Sequence, residues 1–185
     1  YSYEQDKYTG DDVSLLASHL FEGHTIVSIA YQQTPNSIVW CVRDDGVLLG
    51  MTYIKEQEVF AWHKHTTQGK FIDVCCISGE VEDNAYFVVE RDGKYYVEMM
   101  ASQIDVENEK TQYYMDSYVE ARNTNVVNGL DRFNGKEVQI LCDGSVMPPA
   151  VVENGRVTLN VDNADRVIVG LGYTSTLETM PIEFN

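Results

Sequence analysis

Proline is scarce in this chain of 185 residues, with four in all, and tryptophan is scarcer, with two. No run approaches the roughly eighteen apolar residues that a membrane-crossing helix needs, so no membrane span is expected. Basic residues are also few: 13 Lys and Arg face 29 Asp and Glu, a formal charge of −16. Such a chain repels phosphate backbones and has no Lys/Arg cluster to release their counterions, which excludes sequence-specific nucleic-acid binding. The four cysteines, Cys41, Cys75, Cys76 and Cys142, contain no Cys-x-x-Cys spacing. Cys75 and Cys76 are neighbours, and neighbours in a strand point to opposite faces, so the two do not share one tetrahedral metal. There is no Asn-x-Ser/Thr acceptor and the opening residues do not read as a secretory leader, so assembly in a reducing cytoplasm is expected. The first residue is Tyr1, which suggests a segment excised or processed from something longer.

What is present is the raw material of β-structure. Hydrophobic residues make up 44% of the chain and aromatics 11%, with twelve tyrosines and thirteen glycines, a balance that favours many short strands. Ser37 to Tyr53 spells one hairpin: Ile38-Val39-Trp40-Cys41-Val42-Arg43, a corner at Asp44-Asp45-Gly46, then Val47 to Tyr53. Asp45-Gly46 predicts a two-residue turn of the primed type, in which both central residues take positive φ. The pattern returns at Asn84 to Met100 around Asp92-Gly93, with Phe87 under Trp40, Val89 under Val42 and Gly93 under Gly46, an offset of 93 − 46 = 47 residues. One propeller blade occupies about 40 to 50 residues, so the spacing predicts two blade-like antiparallel sheets.

A short helix is expected ahead of them. Asp11 or Asp12 caps it, Val13, Leu16 and Leu20 form one apolar stripe, and Gly23 ends it. His19, near its C-terminus, reads as a structural residue beside the dipole. Thr25–Tyr31, the first hairpin and Glu58–His63 make the first blade; Phe71–Ile77 and the second hairpin make most of another. Ala101 to Thr111 is polar and the 47-residue rhythm stops there, so two domains are expected: 1–110, propeller-like, and 111–185, a small β-barrel or sandwich. In the second, strands are expected over Gln112–Ala121, Lys136–Cys142, Ala150–Val152, Arg156–Val161, Arg166–Leu171 and Met180–Phe184, with hairpin signals at Asn134-Gly135, Asp143-Gly144 and Asn154-Gly155. The fold class is all-β.

His63-Lys64-His65 is the sharpest chemical lead, because positions i and i+2 of a strand share a face and two imidazoles there could chelate a metal. No third ligand lies nearby in sequence, so no metal is expected. Trp62, Tyr95 and Tyr96 are the aromatics that would stack on sugars if the propeller engaged carbohydrate. Propellers host glycosidases, but the sequence singles out no carboxylate pair. Gly170-Leu171-Gly172 lacks the third glycine, the helix and the lysine of a phosphate loop, and reads as glycines on a strand where side chains would collide. Asp162-Asn163-Ala164-Asp165 lacks the central glycine and distal glutamate of a calcium loop. With no Gly-x-Ser-x-Gly elbow, and with Cys41, Cys75 and Cys142 in apolar strand contexts, neither an enzymatic activity nor a cofactor is expected.

Larger groupings carry a resemblance. Asp11-Asp12-Val13 through Leu20-Phe21-Glu22-Gly23, Ile29-Ala30-Tyr31-Gln32-Gln33, Ser37 to Trp40, Val42 to Gly46, Thr52-Tyr53, Glu56 to Val59 and Trp62-His63-Lys64-His65-Thr66 together resemble the central part of large tail proteins of tailed bacteriophages and prophages. The likeness spans most of residues 11–100. Asn134-Gly135-Lys136, Asp143-Gly144, Val157-Thr158-Leu159 and Val167 to Ser175 resemble the next segment of those proteins, which is similar to the small β-barrel half-domain of ubiquitin-activating enzymes. The resemblance implies a virion structural protein of the tail hub or nozzle kind, with other tail proteins as partners. It also implies a homo-oligomeric ring through which DNA leaves, located in the virion tail and assembled in the bacterial cytoplasm. The alternative is a carbohydrate-engaging propeller, either a host-receptor binder or a depolymerase.

Overall fold

The computed structural model describes residues 10, 12–102 and 114–177. Among them the chain is all-β, built from antiparallel strands, and it divides into two compact units, Tyr1–Ser102 and Gln103–Asn185. The boundary expected near residue 111 and the strand expected over Met180–Phe184 lie outside the described residues.

The first unit stacks two meanders. β1 (Ile26–Gln32), β2 (Ile38–Arg43), β3 (Leu48–Ile54) and β4 (Val59–His65) form a four-stranded sheet in chain order, and β5 (Lys70–Ser78), β6 (Asp83–Arg91) and β7 (Lys94–Met99) form a three-stranded one. Side chains alternate across each strand, so Trp40, Val42 and Leu48 leave one sheet together and meet Val74, Ala85, Phe87 and Val89 of the other in a single core. The residues aligned by the 47-residue offset therefore face each other: the Trp40 and Phe87 rings meet edge to face at 5.6 Å. Each large apolar side chain buried this way contributes roughly 1.5–3 kcal/mol. The sheets come closest at their first strands, where Ser28 Oγ donates to Asp73 Oδ1 at 2.5 Å.

The two hairpin corners differ from one another. Asp92 and Gly93 have φ of 52° and 76°, the two-residue primed turn that was expected. At the first corner only Gly46 is left-handed (φ 89°), and Gly46 N–H donates to Arg43 O at 3.0 Å while Arg43 N–H donates to Val47 O at 2.9 Å. The loop thus has three residues and ends in a glycine bulge, not two residues. Asp45 explains the change, because its carboxylate accepts from Val47 N–H (3.3 Å) and from the Arg43 guanidinium, which holds it outside the left-handed region.

The expected N-terminal helix is a 3-10 segment, Leu15–Leu20, kinked at Ala17. Three-residue turns do not keep the predicted stripe on one side: Ala17 is buried and Leu16 is 96% exposed. The N-cap position is Ser14, which makes no side-chain cap bond, and not Asp12. Asp12 Oδ1 lies just ahead of it and accepts from Ser14 N–H (2.9 Å) and Ser14 Oγ (2.6 Å), Asp11 lies outside the described residues, and Gly23 is left-handed as expected.

In the second unit, β8 (Asp116–Arg122), β10 (Glu137–Cys142), β11 (Ser145–Val151) and β13 (Arg166–Leu171) form a sheet in the order β11-β10-β13-β8, and β9 (Val126–Val127) pairs with β12 (Val157–Thr158). Val127, Leu130, Phe133, Val138, Val167 and Val169 fill its core. The expected barrel is not closed among the described residues. Arg156–Val161 supplies only the two residues of β12, and these pair with β9 alone, leaving β11 and β8 as sheet edges. The strand expected at Ala150–Val152 is the end of the longer β11, whose Pro148-Pro149 is tolerated on an edge, where an absent N–H breaks no ladder. Asp143-Gly144 and Asn154-Gly155 are positive-φ turns, whereas Asn134 (φ −50°, ψ 126°) followed by left-handed Gly135 is a type II turn and no hairpin. Gly170 sits where a Cβ would lie 3.0 Å from Asp116 O and from the Met115 and Tyr118 side chains, the close approach its position predicts.

Candidate functional site

The outward face of β5, β6 and β7 carries apolar side chains from all three strands, exposed on β5 and β7 and half-buried on β6. Register places Cys75, Tyr86 and Met99 in one row across it, Asp73, Val88 and Val97 in the next, and Lys70, Glu90 and Tyr95 in a third. The opposite face of the same strands fills the core, so these rows point away from it. Tyr95 is 69% exposed, Val97 74% and Met99 53%, and Ile77 is exposed beyond them. Contiguous apolar side chains of this kind on a sheet face mark a contact surface. The polar neighbours are acidic in excess: Asp73 and Glu90 lie in the rows themselves, with Glu80 and Glu82 on the β5–β6 loop.

The imidazole pair lies on the inward side of β4. Gly50 is the β3 partner of His63, and a Cβ there would overlap the His63 ring, so the glycine makes room for the imidazole. His63 Nδ1 and His65 Nε2 are 2.7 Å apart, one ring's N–H donating to the other's lone pair. Both rings lean on Trp40, at 5.6 and 5.5 Å between centroids. Trp40 in turn donates its Nε1–H to Gln32 Oε1 at 3.0 Å, which satisfies the only polar atom of a buried indole. Burial pushes both imidazoles down, His65 to about 4 with the neighbouring His63 adding to the shift, so both are neutral near pH 7. The two histidines are brought together as their spacing predicts, but each spends a nitrogen on the other, and the neighbour completing the group is an indole, which ligates nothing.

Trp62, Tyr95 and Tyr96 are not brought together. Trp62 donates its Nε1–H to Val13 O at 2.9 Å and packs edge-on against Phe21 at 4.9 Å, anchoring the 3-10 segment to β4. Tyr95 and Tyr96 are neighbours in β7 and point to opposite faces, with Tyr95 exposed and Tyr96 half-buried. Burial raises the thiols of Cys41, Cys76 and Cys142, that of Cys76 to about 11, which leaves them protonated and poorly nucleophilic.

Two clusters escaped the sequence. His24 bridges Asp44 (Nδ1 to Oδ1, 3.2 Å) and Asp45 (Nε2 to Oδ2, 3.6 Å) at the first hairpin corner, a trio with metal-ligand chemistry. Opposite nitrogens of one ring serve the two carboxylates, and Arg43 already grips both oxygens of Asp45, holding that carboxyl down at about 2; a cation is in place there without a metal. Arg91, almost fully buried, forks onto Glu98 (3.1 and 2.8 Å) and ties down the β4–β5 link through Thr67 Oγ1 (2.7 Å) and Gln68 O (2.8 Å). Neither cluster has a local signature, because its members lie in different strands and loops.

No family model matches the chain, and no curated protein matches it. Function is therefore argued from the surfaces themselves. Among the described residues no helix is long and apolar enough to cross a membrane.

Proposed function

We propose that this chain is a non-enzymatic structural module of a phage or prophage tail, of the hub or nozzle kind, and that it works through protein–protein contacts. The observation that carries this reading is the uncovered apolar face of β5, β6 and β7 on a unit made of two stacked, blade-sized meanders. In a propeller each blade buries both faces against its neighbours, so a two-sheet stack that leaves apolar outer faces open is the form a partial propeller takes. The resemblance of residues 11–100 to tail proteins supports the same assignment, with other tail proteins as partners and a homo-oligomeric ring in the full-length protein. The formal charge of −16 suits a channel wall along which DNA slides without adhering. Purified tail particles from an induced lysogen, analysed by cross-linking mass spectrometry, test the proposal: cross-links from Lys70 and Lys94, beside the open face, should reach other tail proteins. Absence of the chain from such particles removes the proposal.

Tyr95, exposed on that face, favours a second reading, a propeller that engages carbohydrate for receptor binding or depolymerisation. A saturable hit on a glycan array that Tyr95→Ala abolishes would establish it in place of the first.

A further inference from the structure

The backbone of β7 carries more information than its side chains. Arg91 and Lys94 flank the two-residue turn and form the closing hydrogen-bonded pair of the hairpin, so the hydrogen-bonded pairs with β6 continue at Val89–Tyr96 and Phe87–Glu98. Tyr95, Val97 and Met99 therefore aim their N–H and C=O groups away from β6. The side chains of these three residues are exposed as well. Among the described residues no strand other than β6 pairs with β7.

Other edges carry the usual protection against pairing, and β7 does not. β11 holds Pro148-Pro149, and β4 carries the exposed Lys64 and is tied through Trp62 to the 3-10 segment. β1 and β5 lie against each other and each has a register shift, at Ile26/Ser28 and Phe71/Asp73, and β8 meets β13 through a shift at Val169/Leu171. The β6–β7 register is unbroken, and β7 contains no proline and no charge on its exposed face between Tyr95 and Met99.

We propose that β7 is a homodimerisation edge, which pairs antiparallel with β7 of a second copy across a two-fold axis at Val97. Of the two-fold registers, this one alone pairs the three outward-facing residues among themselves: Val97 with the other Val97, and Tyr95 with the other copy's Met99. Every outward N–H and C=O of the three is then satisfied, and the apolar rows of β5, β6 and β7 run on into the second sheet. On the opposite face Tyr96 stands beside the other copy's Glu98, so no two like charges meet. A register moved by one residue toward the C-terminus sets Glu98 against Glu98 and is disfavoured. With a formal charge of −16 on each copy, long-range repulsion opposes association, so the dimer tightens as salt is raised. The contact does not depend on the tail assignment, because an isologous pair has its own axis, distinct from the rotation that closes a ring.

Sedimentation equilibrium on the whole chain tests this, with Val97→Pro and Val97→Lys as variants. The Val97 N–H faces the open edge, so proline there removes a bond to the second copy and none to β6. The expected result is a reversible dimer that strengthens between low and moderate salt and is lost in Val97→Pro, with unchanged far-UV dichroism and a thermal midpoint that no longer rises with concentration. If the proline variant misfolds, Val97→Lys carries the test, weakening the dimer at least tenfold while the fold is kept. Amide exchange should slow at Tyr95, Val97 and Met99 as concentration rises. A chain that stays monomeric at all salt concentrations, or a dimer that a folded Val97→Lys leaves intact, overturns the proposal.

Discussion

Gly50 shows how one missing side chain sets the chemistry around it. Because a Cβ there would overlap the His63 ring, Gly50→Ala must push the imidazole off Trp40 and part it from His65. The expected cost is about 1–3 kcal/mol in urea unfolding, typical of an overpacked site, and both imidazoles should titrate closer to 6.5 by proton NMR. The wild-type pair also makes stability depend on pH, with a definite sign. His65 titrates near 4 when folded and near 6.5 when unfolded, so the unfolded chain binds the proton first. Stability is then unaffected above pH 6.5 and falls as pH drops from 6.5 toward 4, by an amount on the order of 1–3 kcal/mol at about 1.4 kcal/mol per unit and allowing for partial exposure. Replacing it, in His65→Gln, should flatten that part of the stability profile relative to wild type. Arg91 gives a third residue-scale test. Glu98→Ala strands a buried guanidinium and is expected to cost roughly 3 kcal/mol by the same unfolding measurement. The histidine spacing was legible in the sequence. That Trp40 and Gly50 complete the group was not, because cross-strand neighbours depend on register, which has no local code.

At the scale of elements, strands and corners were the most legible parts. β1 to β7 fall where alternation of apolar residues placed them, since a period of two marks a half-buried strand within its own few residues. The corners separate propensity from context. Asp92-Gly93 forms the primed turn that its residues favour, whereas Asp45, with the same glycine after it, is drawn by Arg43 and Val47 into a longer loop. Gly93→Ala, at φ 76° with open space around it, should therefore cost about 1 kcal/mol from backbone strain alone. Gly46→Ala adds a collision with the Lys70 side chain, 2.5 Å from its Cβ, and should lower the melting temperature more. Differential scanning calorimetry of the two variants side by side checks the order. The predicted N-terminal helix failed at this scale because a six-residue segment gains little from helix propensity and takes the geometry that its anchors impose, here Asp12 at one end and Trp62 across it.

For the whole molecule, each unit has a core of its own, around Trp40, Phe87 and Val89 in one and Phe133, Val138 and Val169 in the other. Two calorimetric transitions are expected, with Val89→Ala lowering one and Val138→Ala the other, each by roughly 2 kcal/mol for a truncated core side chain. A single transition moved equally by both would show that the cores unfold together. The all-β class, the four-strand and three-strand meanders and the acidic character were written in composition and alternation, because those depend on residues close in the chain. Whether strands close into a barrel, which face is left uncovered and which polar groups meet was decided only in three dimensions. Closure and burial are properties of surfaces from distant segments: among the described residues β9 and β12 pair only with each other and β7 pairs only with β6, and Arg91 finds Glu98 and Thr67 only after three separate stretches have come together.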